Sequence, residues 1–233
     1  MNTIQDKELG EIILIPNKRA KTIIVRRKDG CFRLTHPADA TLSFIKKTIE
    51  DMRPRLLKMA EREVLKLRFV CGTEFETFSF KLQLSESMSA GNYYMSLKNG
   101  ILSISCPSGT DYNDSQVQET IRNLIEKAFR YEATRLFPAK VEYFAHKFGF
   151  TFTGVKINKS KSRWGSCSVK KSINLSYYLM FLPEYLIDFI VLHELCHTRE
   201  MNHGERFWKL LDEVSGGKAK QYTKELKSYK TGW

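Results

Sequence analysis

One apolar segment near the C-terminus constrains the fold more than any other part of the chain. It runs from Pro183 to His197 with the sequence PEYLIDFIVLHELCH. Proline is favoured at the start of a helix, and apolar residues then occupy almost every helical face, so we predict a helix that is buried on most sides. The two histidines in its last turn need polar partners, because a buried polar group without one costs free energy.

The spacing of these histidines is typical of a metal site. His193 and His197 lie four residues apart, so on a helix their imidazoles leave the same face and can bind one Zn²⁺. Glu194 lies beside that face, where its carboxylate can take a proton from a zinc-activated water. The pattern predicts a zinc-dependent hydrolase with Glu194 as general base. The alternative is a pair of hydrogen-bonded core histidines.

A catalytic zinc site needs a third protein ligand, and His203 is the best candidate. It follows His197 by six residues, too far to continue along one helical face, so the helix must end and the chain must turn back. Asn202 can form that turn, since asparagine tolerates the left-handed conformation that is common at helix ends. Glu200 and Glu205 remain alternative third ligands.

The first half of the chain is rich in strand patterns. Short alternating or β-branched runs separated by turn residues predict several strands before residue 106. Asp29-Gly30 and Asn99-Gly100 are turn signals, and the second is typical of a two-residue hairpin. Residues 40–66 interrupt the strands with helical spacing, and Pro54 should divide them into two short helices.

The second half is richer in helices. From a predicted N-cap at Asp114-Ser115, an apolar stripe extends to a predicted end at Gly149, with Pro138 breaking or kinking the helix. Two strands and the buried helix follow, and we see no internal repeat. We therefore expect an α+β fold, with a β-rich N-terminal region that has a helical insertion and then a second domain, over residues 1–106 and 107–233.

The charge and the cysteines limit the possible partners and the compartment. The formal net charge is +12, with basic runs in residues 18–28, 156–163 and 170–172. Such runs form a solvated face or attract nucleic acid, nucleotides or acidic proteins. No run approaches the ~18 apolar residues that cross a membrane, and the N-terminus lacks the pattern of a signal peptide. Together with five widely spaced cysteines, this predicts a cytoplasmic protein without membrane contact.

Several short motifs together resemble the YgjP-like family of zinc metallopeptidases, which is related in motif to the SprT-like and WLM groups. They are Trp164-Gly165-Ser166-Cys167, Ile173-Asn174-Leu175, Pro183, His193 to His197, Asn202-His203 and Phe207-Trp208. The resemblance is strong over residues 114–215 and fainter in the N-terminal half. It implies a zincin-like α+β domain that hydrolyses peptide bonds, with His203 as the third zinc ligand and Glu194 as the catalytic residue.

The segment before the second C-terminal strand is a candidate substrate-binding element. In zincin-like folds, a strand just before the metal-binding helix borders the active-site cleft and can pair with an extended peptide. The candidate residues are Arg163, Trp164, Gly165, Ser166 and Cys167. Alternatively, Trp164 fills the core and Gly165 shapes a bend. A developing oxyanion could be stabilised by one of four side chains, namely Arg163, Tyr177, Tyr178 or Arg206.

Three other functions remain open alongside a peptidase acting on peptides or proteins. The basic loop 156–163 could hold phosphate for hydrolysis of nucleotides or phosphoesters, although the sequence has no phosphate-binding glycine loop and no second carboxylate cluster. Positive charge could also localise a peptidase on nucleic acid. A structural zinc protein is the weakest alternative, because it would leave Glu194 without a role. No feature specifies an oligomeric state.

Overall fold

The chain folds as two compact units that divide between residues 67 and 68. The computed structural model describes residues 3–28, 31–64, 68–88 and 91–229. We call residues 3–64 the N-terminal unit and residues 68–229 the C-terminal unit. Both combine strands with helices, which confirms the predicted α+β class. None of the helices within the described ranges is long and apolar enough to cross a membrane.

The N-terminal unit is a four-stranded sheet covered by one helix. Its strands are β1 (Thr3–Asp6), β2 (Gly10–Asn17), β3 (Ile24–Lys28) and β4 (Cys31–Pro37), in the order β1-β2-β4-β3. Alternate residues of β2 and β4 point inward and pack on helix α1 (Leu42–Val64). The main core side chains are Ile12, Leu14, Phe32, Leu34, Ile45, Ile49 and Leu56. The turn signal at Asp29-Gly30 lies outside the described residues.

Helix α1 is one helix, so the prediction of two short helices is wrong. Pro54 lies inside it. A proline in a helix removes a hydrogen bond and costs roughly 3 kcal/mol. Ile49 and Leu56 are buried on either side of it, and packing of this apolar face keeps the helix intact. Arg53 adds ion pairs at 2.7 Å to Asp6 and 2.9 Å to Glu8.

The C-terminal unit begins with a second four-stranded sheet of the same topology. Its strands are β5 (Glu74–Glu76), β6 (Lys81–Glu86), β7 (Tyr94–Lys98) and β8 (Ile101–Cys106), in the order β5-β6-β8-β7. The β7–β8 hairpin turns at Asn99 and Gly100, both with positive φ, as predicted. Strand β2 is parallel to β4, and β6 is parallel to β8, while the other neighbouring pairs in both sheets are antiparallel.

Strands β2, β3 and β4 of the first sheet correspond to β6, β7 and β8 of the second. Equivalent residues in these strands are separated by the same number of positions in the sequence. Ile12 pairs with Phe32 in the first sheet, and Leu82 pairs with Leu102 in the second. All four side chains are buried. The sequence does not reveal this structural repeat, because the repeat preserves register and apolar character and not residue identity.

Helix α2 (Ser115–Phe148) covers the second sheet. The Asp114 side chain accepts the N-cap hydrogen bond from Gln116, and Gly149 ends the helix in the left-handed conformation, as predicted. The rings of Phe80 and Phe129 lie 5.6 Å apart across the sheet–helix interface. Because of this packing, the C-terminal unit includes strands β5–β8. The predicted boundary at 106/107 falls within that unit, and the division into regions 1–106 and 107–233 stays a prediction.

A small third sheet and three helices complete the C-terminal unit. The strands are β9 (Gly154–Asn158), β10 (Gly165–Cys167) and β11 (Ser172–Ser176), in the order β10-β11-β9. A 3₁₀ segment, Tyr177–Phe181, leads into α3 (Glu184–Cys196). Helices α4 (Glu205–Val214) and α5 (Ala219–Leu226) follow. Helix α3 is buried along most of its length, as its sequence predicted.

Candidate active site

The C-terminal end of helix α3 brings three histidines together. His193 lies in the last turn of α3, His197 caps the helix, and His203 follows in the loop before α4. Their Nε2 atoms are 3.1 to 3.2 Å from one another. Within the described ranges, these histidines are the only group of three or more potential metal-ligating side chains. The chain therefore turns back after α3 and brings His203 to the face shared by His193 and His197.

Hydrogen bonds alone cannot account for this triangle of nitrogens. A neutral imidazole nitrogen either carries a proton and donates, or carries a lone pair and accepts. Among three nitrogens in mutual contact, at least two must both be donors or both be acceptors, so at least one pair repels. A cation between them removes the conflict, because all three can then present lone pairs. Tetrahedral zinc with Zn–N bonds of about 2.0–2.1 Å would space the nitrogens roughly 3.3–3.4 Å apart, close to the distances found. The three residues therefore fit a metal ion.

The protonation of the ring nitrogens suits metal binding. Nδ1 of His197 lies 3.1 Å from the carbonyl oxygen of Glu200. A carbonyl can only accept, so Nδ1 donates and the Nε2 lone pair is left for a metal. Burial, followed by the neighbouring His197 and His203, lowers the pKa of His193 to about 3. Burial also lowers the pKa of His197. Both rings are therefore neutral at pH 7.

Phe207 forms an apolar floor beneath the histidines. Its ring centroid lies 4.9, 4.5 and 4.7 Å from those of His193, His197 and His203. The Phe207 side chain is fully buried, whereas Trp208, whose ring lies 6.0 Å from His203, is 38% exposed. The floor restricts rotation of the imidazoles and keeps water from one side of the cluster.

The turn that returns His203 differs in detail from the sequence prediction. Asn202 does not adopt the left-handed conformation, because the non-glycine residues with positive φ in the described ranges are Asn99 and Lys171. The helix instead tightens at its end, where the amides of Arg199 and Glu200 both donate to the carbonyl of Cys196, at 3.0 and 2.9 Å. The structure also does not group the carboxylates of the alternative ligands, Glu200 and Glu205, with the histidines.

Glu194 is a buried carboxylate without a hydrogen-bond partner on one of its oxygens. Its side chain belongs to a residue that is 5% exposed, and no partner for Oε2 is found among the described residues. Burial raises its pKa to about 8, and the positive charge of Arg163 opposes that rise. An unsatisfied buried carboxylate is costly, so its place beside the histidines points to a chemical role and not to stability.

Gly165 on strand β10 lies directly against the Glu194 carboxyl group. A Cβ atom at this position would be 2.6 Å from Oε1, 2.8 Å from Cγ and 2.9 Å from Cδ of Glu194. Ordinary contacts begin near 3.4 Å, so no larger residue fits without movement. The glycine is required here for close approach, which sequence reasoning did not separate from a bend.

The predicted substrate-binding residues lie along an open sheet edge. Strand β10 pairs with β11 and, within the described part of the chain, has no neighbour on its other side. Arg163 is exposed, and the four residues that follow it, Trp164, Gly165, Ser166 and Cys167, are half-buried. Since Gly165 touches Glu194, this edge borders the carboxylate.

Two of the four candidates for oxyanion stabilisation belong to the core. Tyr177 and Tyr178 are buried, and the Tyr178 hydroxyl donates to Glu126 on α2. Burial, followed by this hydrogen bond, raises the pKa of Tyr178. Arg163 and Arg206 are exposed. Of these four residues, Arg163 is the one whose charge lowers the pKa of Glu194, against the larger rise that burial causes.

Glu126 is a structural residue that sequence reasoning missed. Lys159 and Tyr178 contact its carboxylate, and Lys161 lies 3.9 Å from it. Its sequence signal was weak, an acidic residue next to buried Ile125 in the apolar stripe of α2. Two lysines of the basic loop are thus paired within the protein.

Comparison with known proteins identifies the family. A family model described as YgjP-like, metallopeptidase domain, matches residues 21–229. The chain belongs to the YgjP-like family. This confirms the resemblance read from the motifs, and membership of a YgjP-like metallopeptidase family makes the protein a metal-dependent peptidase.

The other comparisons add little to the YgjP-like assignment. One similar solved structure is the metallopeptidase zymogen of Pyrococcus abyssi abylysin. It shares 24% identity, over 39% of this chain and 90% of that chain, with a TM-score of 0.36. At that TM-score the likeness says nothing about the site of this chain. No curated protein matches the sequence.

Proposed function

We propose that the protein is a zinc-dependent peptidase in which His193, His197 and His203 hold the metal and Glu194 is the general base. The observation that carries this proposal is the triangle of three Nε2 atoms, together with the neighbouring buried residue Glu194, whose Oε2 has no partner in the described part of the chain. The structural alternative of hydrogen-bonded core histidines loses support, since three mutually contacting nitrogens cannot all be paired.

The residues of the site divide the chemistry between them. Zn²⁺ held by the histidines would lower the pKa of a water, polarise the scissile carbonyl and favour the ionised form of Glu194. Glu194 then accepts the proton of the attacking water at its carboxylate and donates it to the leaving amine. Phe207 and the buried surroundings of Glu194 exclude bulk water, which strengthens these electrostatic interactions.

We propose that a peptide substrate adds to the open edge of β10. The backbone groups of Gly165 to Cys167 that do not face β11 are available to an extended chain, and Arg163 and Trp164 flank them. The contact between Gly165 and Glu194 supports this location, because it brings the edge next to the proposed base.

Metal analysis of three variants tests the ligands and the base separately. The wild type should bind about one zinc per chain, and His203→Ala should lose most of it. Exposed His146 on α2 provides the matched control, and His146→Ala should keep full zinc. Glu194→Gln should keep zinc while kcat/KM on a peptide library falls roughly 10²–10⁴-fold. Zinc retained by His203→Ala, or full activity in Glu194→Gln, would contradict the assigned roles.

The other functions have less support. Lys159 and Lys161 are paired with Glu126, so the loop 156–163 offers few free cations for phosphate. Hydrolysis of a nucleotide or phosphoester without cleavage of any peptide would still favour that alternative. We also propose the cytoplasm as its location, and the five free cysteines are compatible with a reducing compartment.

A further inference from the structure

The loop before strand β10 carries an arginine whose charge has no partner there. Arg163 is exposed and lies two residues before Gly165, which touches the Glu194 carboxyl group. Among the described residues no carboxylate lies within ion-pair distance of its guanidinium. Its positive charge nevertheless acts on Glu194. Arg163 thus lies on the surface next to the candidate active site.

The surrounding segment is uniformly basic, and two of its other cations are paired with a carboxylate. Residues 156–171 contain six lysines and arginines and no acidic residue. Lys159 and Lys161 are held by Glu126 on α2. Lys171, at the other end of the β10–β11 hairpin, donates to the Thr151 hydroxyl at 3.3 Å. Lys156 and Lys170 lie farther along the chain, so Arg163 is the cation nearest in sequence to Gly165, and no ion pair holds it among the described residues.

The backbone around Arg163 is fixed. The Ser176 hydroxyl donates to the Ser160 carbonyl at 2.7 Å, and the Ser176 amide donates to the Trp164 carbonyl at 2.8 Å. The Arg163 amide donates to the Ser160 hydroxyl at 3.3 Å. These bonds tie both ends of the loop to the end of β11. Only the Arg163 side chain, and not its backbone, then has to be ordered when a partner binds, which lowers the entropy lost on binding.

We propose that Arg163 selects peptide substrates with an aspartate or glutamate next to the scissile bond. This inference rests on the proposed peptidase function and on β10 as the edge that the peptide joins. A peptide on that edge passes the arginine, whose planar guanidinium can donate two parallel hydrogen bonds to a carboxylate. Nucleic acid is the poorer match, because it requires several phosphate contacts and two of the loop lysines are already paired.

Fluorogenic peptides that differ in one residue beside the cleaved bond test the selection. The series carries Asp, Asn or Lys at that position, and the zinc-loaded wild type should cleave the Asp peptide with a kcat/KM roughly 10- to 100-fold above the Asn peptide. Arg163→Ala should abolish this ratio, and Arg163→Glu should favour Lys. Exposed Arg130 on α2 is the matched control, and Arg130→Ala should keep the wild-type ratio.

A binding experiment separates failure of the selection from failure of the peptidase proposal. Zinc-loaded Glu194→Gln is titrated with the same labelled peptides, with and without Arg163→Glu, by fluorescence anisotropy. Tighter binding of the Asp peptide that depends on Arg163 supports the selection even if no peptide is cleaved. Cleavage with equal kcat/KM for the Asp and Asn peptides in wild type overturns the selection and leaves the peptidase proposal intact. Arg163-dependent binding of single-stranded DNA without any peptide preference also overturns it.

Discussion

The contact between Gly165 and Glu194 leads to a sharp prediction for Gly165→Ala. The added methyl group would lie 2.6 Å from Oε1 of Glu194, so strand or carboxylate must move by ~0.8 Å to reach an ordinary contact. Strand β10 is held by its pairing with β11, and the Glu194 side chain is enclosed. Displacement is therefore shared between a constrained strand and a constrained carboxylate.

The expected effect falls on catalysis and not on the metal. A misplacement of about 1 Å at a reacting group can cost roughly 10²-fold in rate, so we expect kcat/KM to fall by about 10- to 100-fold. The clash involves Oε1, Cγ and Cδ of Glu194 and no histidine atom. Zinc content should therefore remain that of the wild type.

The assay compares peptide hydrolysis and zinc content in two alanine variants. Gly154 lies in β9 of the same sheet, without positive φ, and a Cβ there would meet nothing within 4 Å. Gly154→Ala is therefore a matched control that should keep both activity and zinc. Wild-type kcat/KM in Gly165→Ala would refute the reasoning, because it would mean that Glu194 can move freely or does not act. Loss of zinc in Gly165→Ala would refute the separation of base and metal.

Three further predictions concern stability. In the metal-free folded protein, the pKa of Glu194 is about 8, whereas in the unfolded chain it is near 4.3. The folded state therefore holds this proton over a pH range in which the unfolded state has lost it. The free energy of unfolding should fall as the pH rises from about 6.5 to 8. The lowered pKa of His193, about 3, makes the free energy of unfolding rise with pH, but only below about pH 6.5. Above about pH 6.5, Glu194→Gln should therefore reduce the fall in the free energy of unfolding. Arg53→Ala should lower the melting temperature by about 2–5 °C, since Arg53 links α1 to Asp6 and Glu8. Its hydrogen bond lowers the pKa of Asp6, so this contribution is present above about pH 3.9 and is lost as the pH falls through the lowered value. Gln118→Ala should cost about 2–4 kcal/mol, because the buried Gln118 side chain bonds the amide and carbonyl of Phe69 and the carbonyl of Tyr112.

Matched variants and simple measurements check these three stability predictions. Chemical denaturation at several pH values in the presence of a chelator follows Glu194, and an equal slope in Glu194→Gln would contradict its raised pKa. Exposed Arg55 on the same helix controls for Arg53, and equal melting temperatures for Arg53→Ala and Arg55→Ala would show that the ion pairs contribute nothing. Exposed Gln116 controls for Gln118, and an equal free energy of unfolding in both alanine variants would contradict the account of Gln118.

Local patterns predicted the elements well and their connections poorly. The buried helix α3, the N-cap at Asp114, the end at Gly149 and the Asn99-Gly100 hairpin follow from a few neighbouring residues. The continuity of α1 through Pro54 does not, because packing of Ile49 and Leu56 decides it. The repeated sheet topology was also hidden, since register and apolar character can be kept while residue identities change.

The sequence by itself determined which side chains can bind a metal and where the helix that carries two of them lies. Residue type and helical spacing are local, so His193, Glu194 and His197 were readable from a few residues. Only the tertiary structure decided that His203 closes a triangle that hydrogen bonds cannot satisfy, and that Gly165 leaves room for Glu194. The physical reason is that these contacts join separate segments through a turn and a sheet edge. The distance between such segments depends on how the whole unit packs.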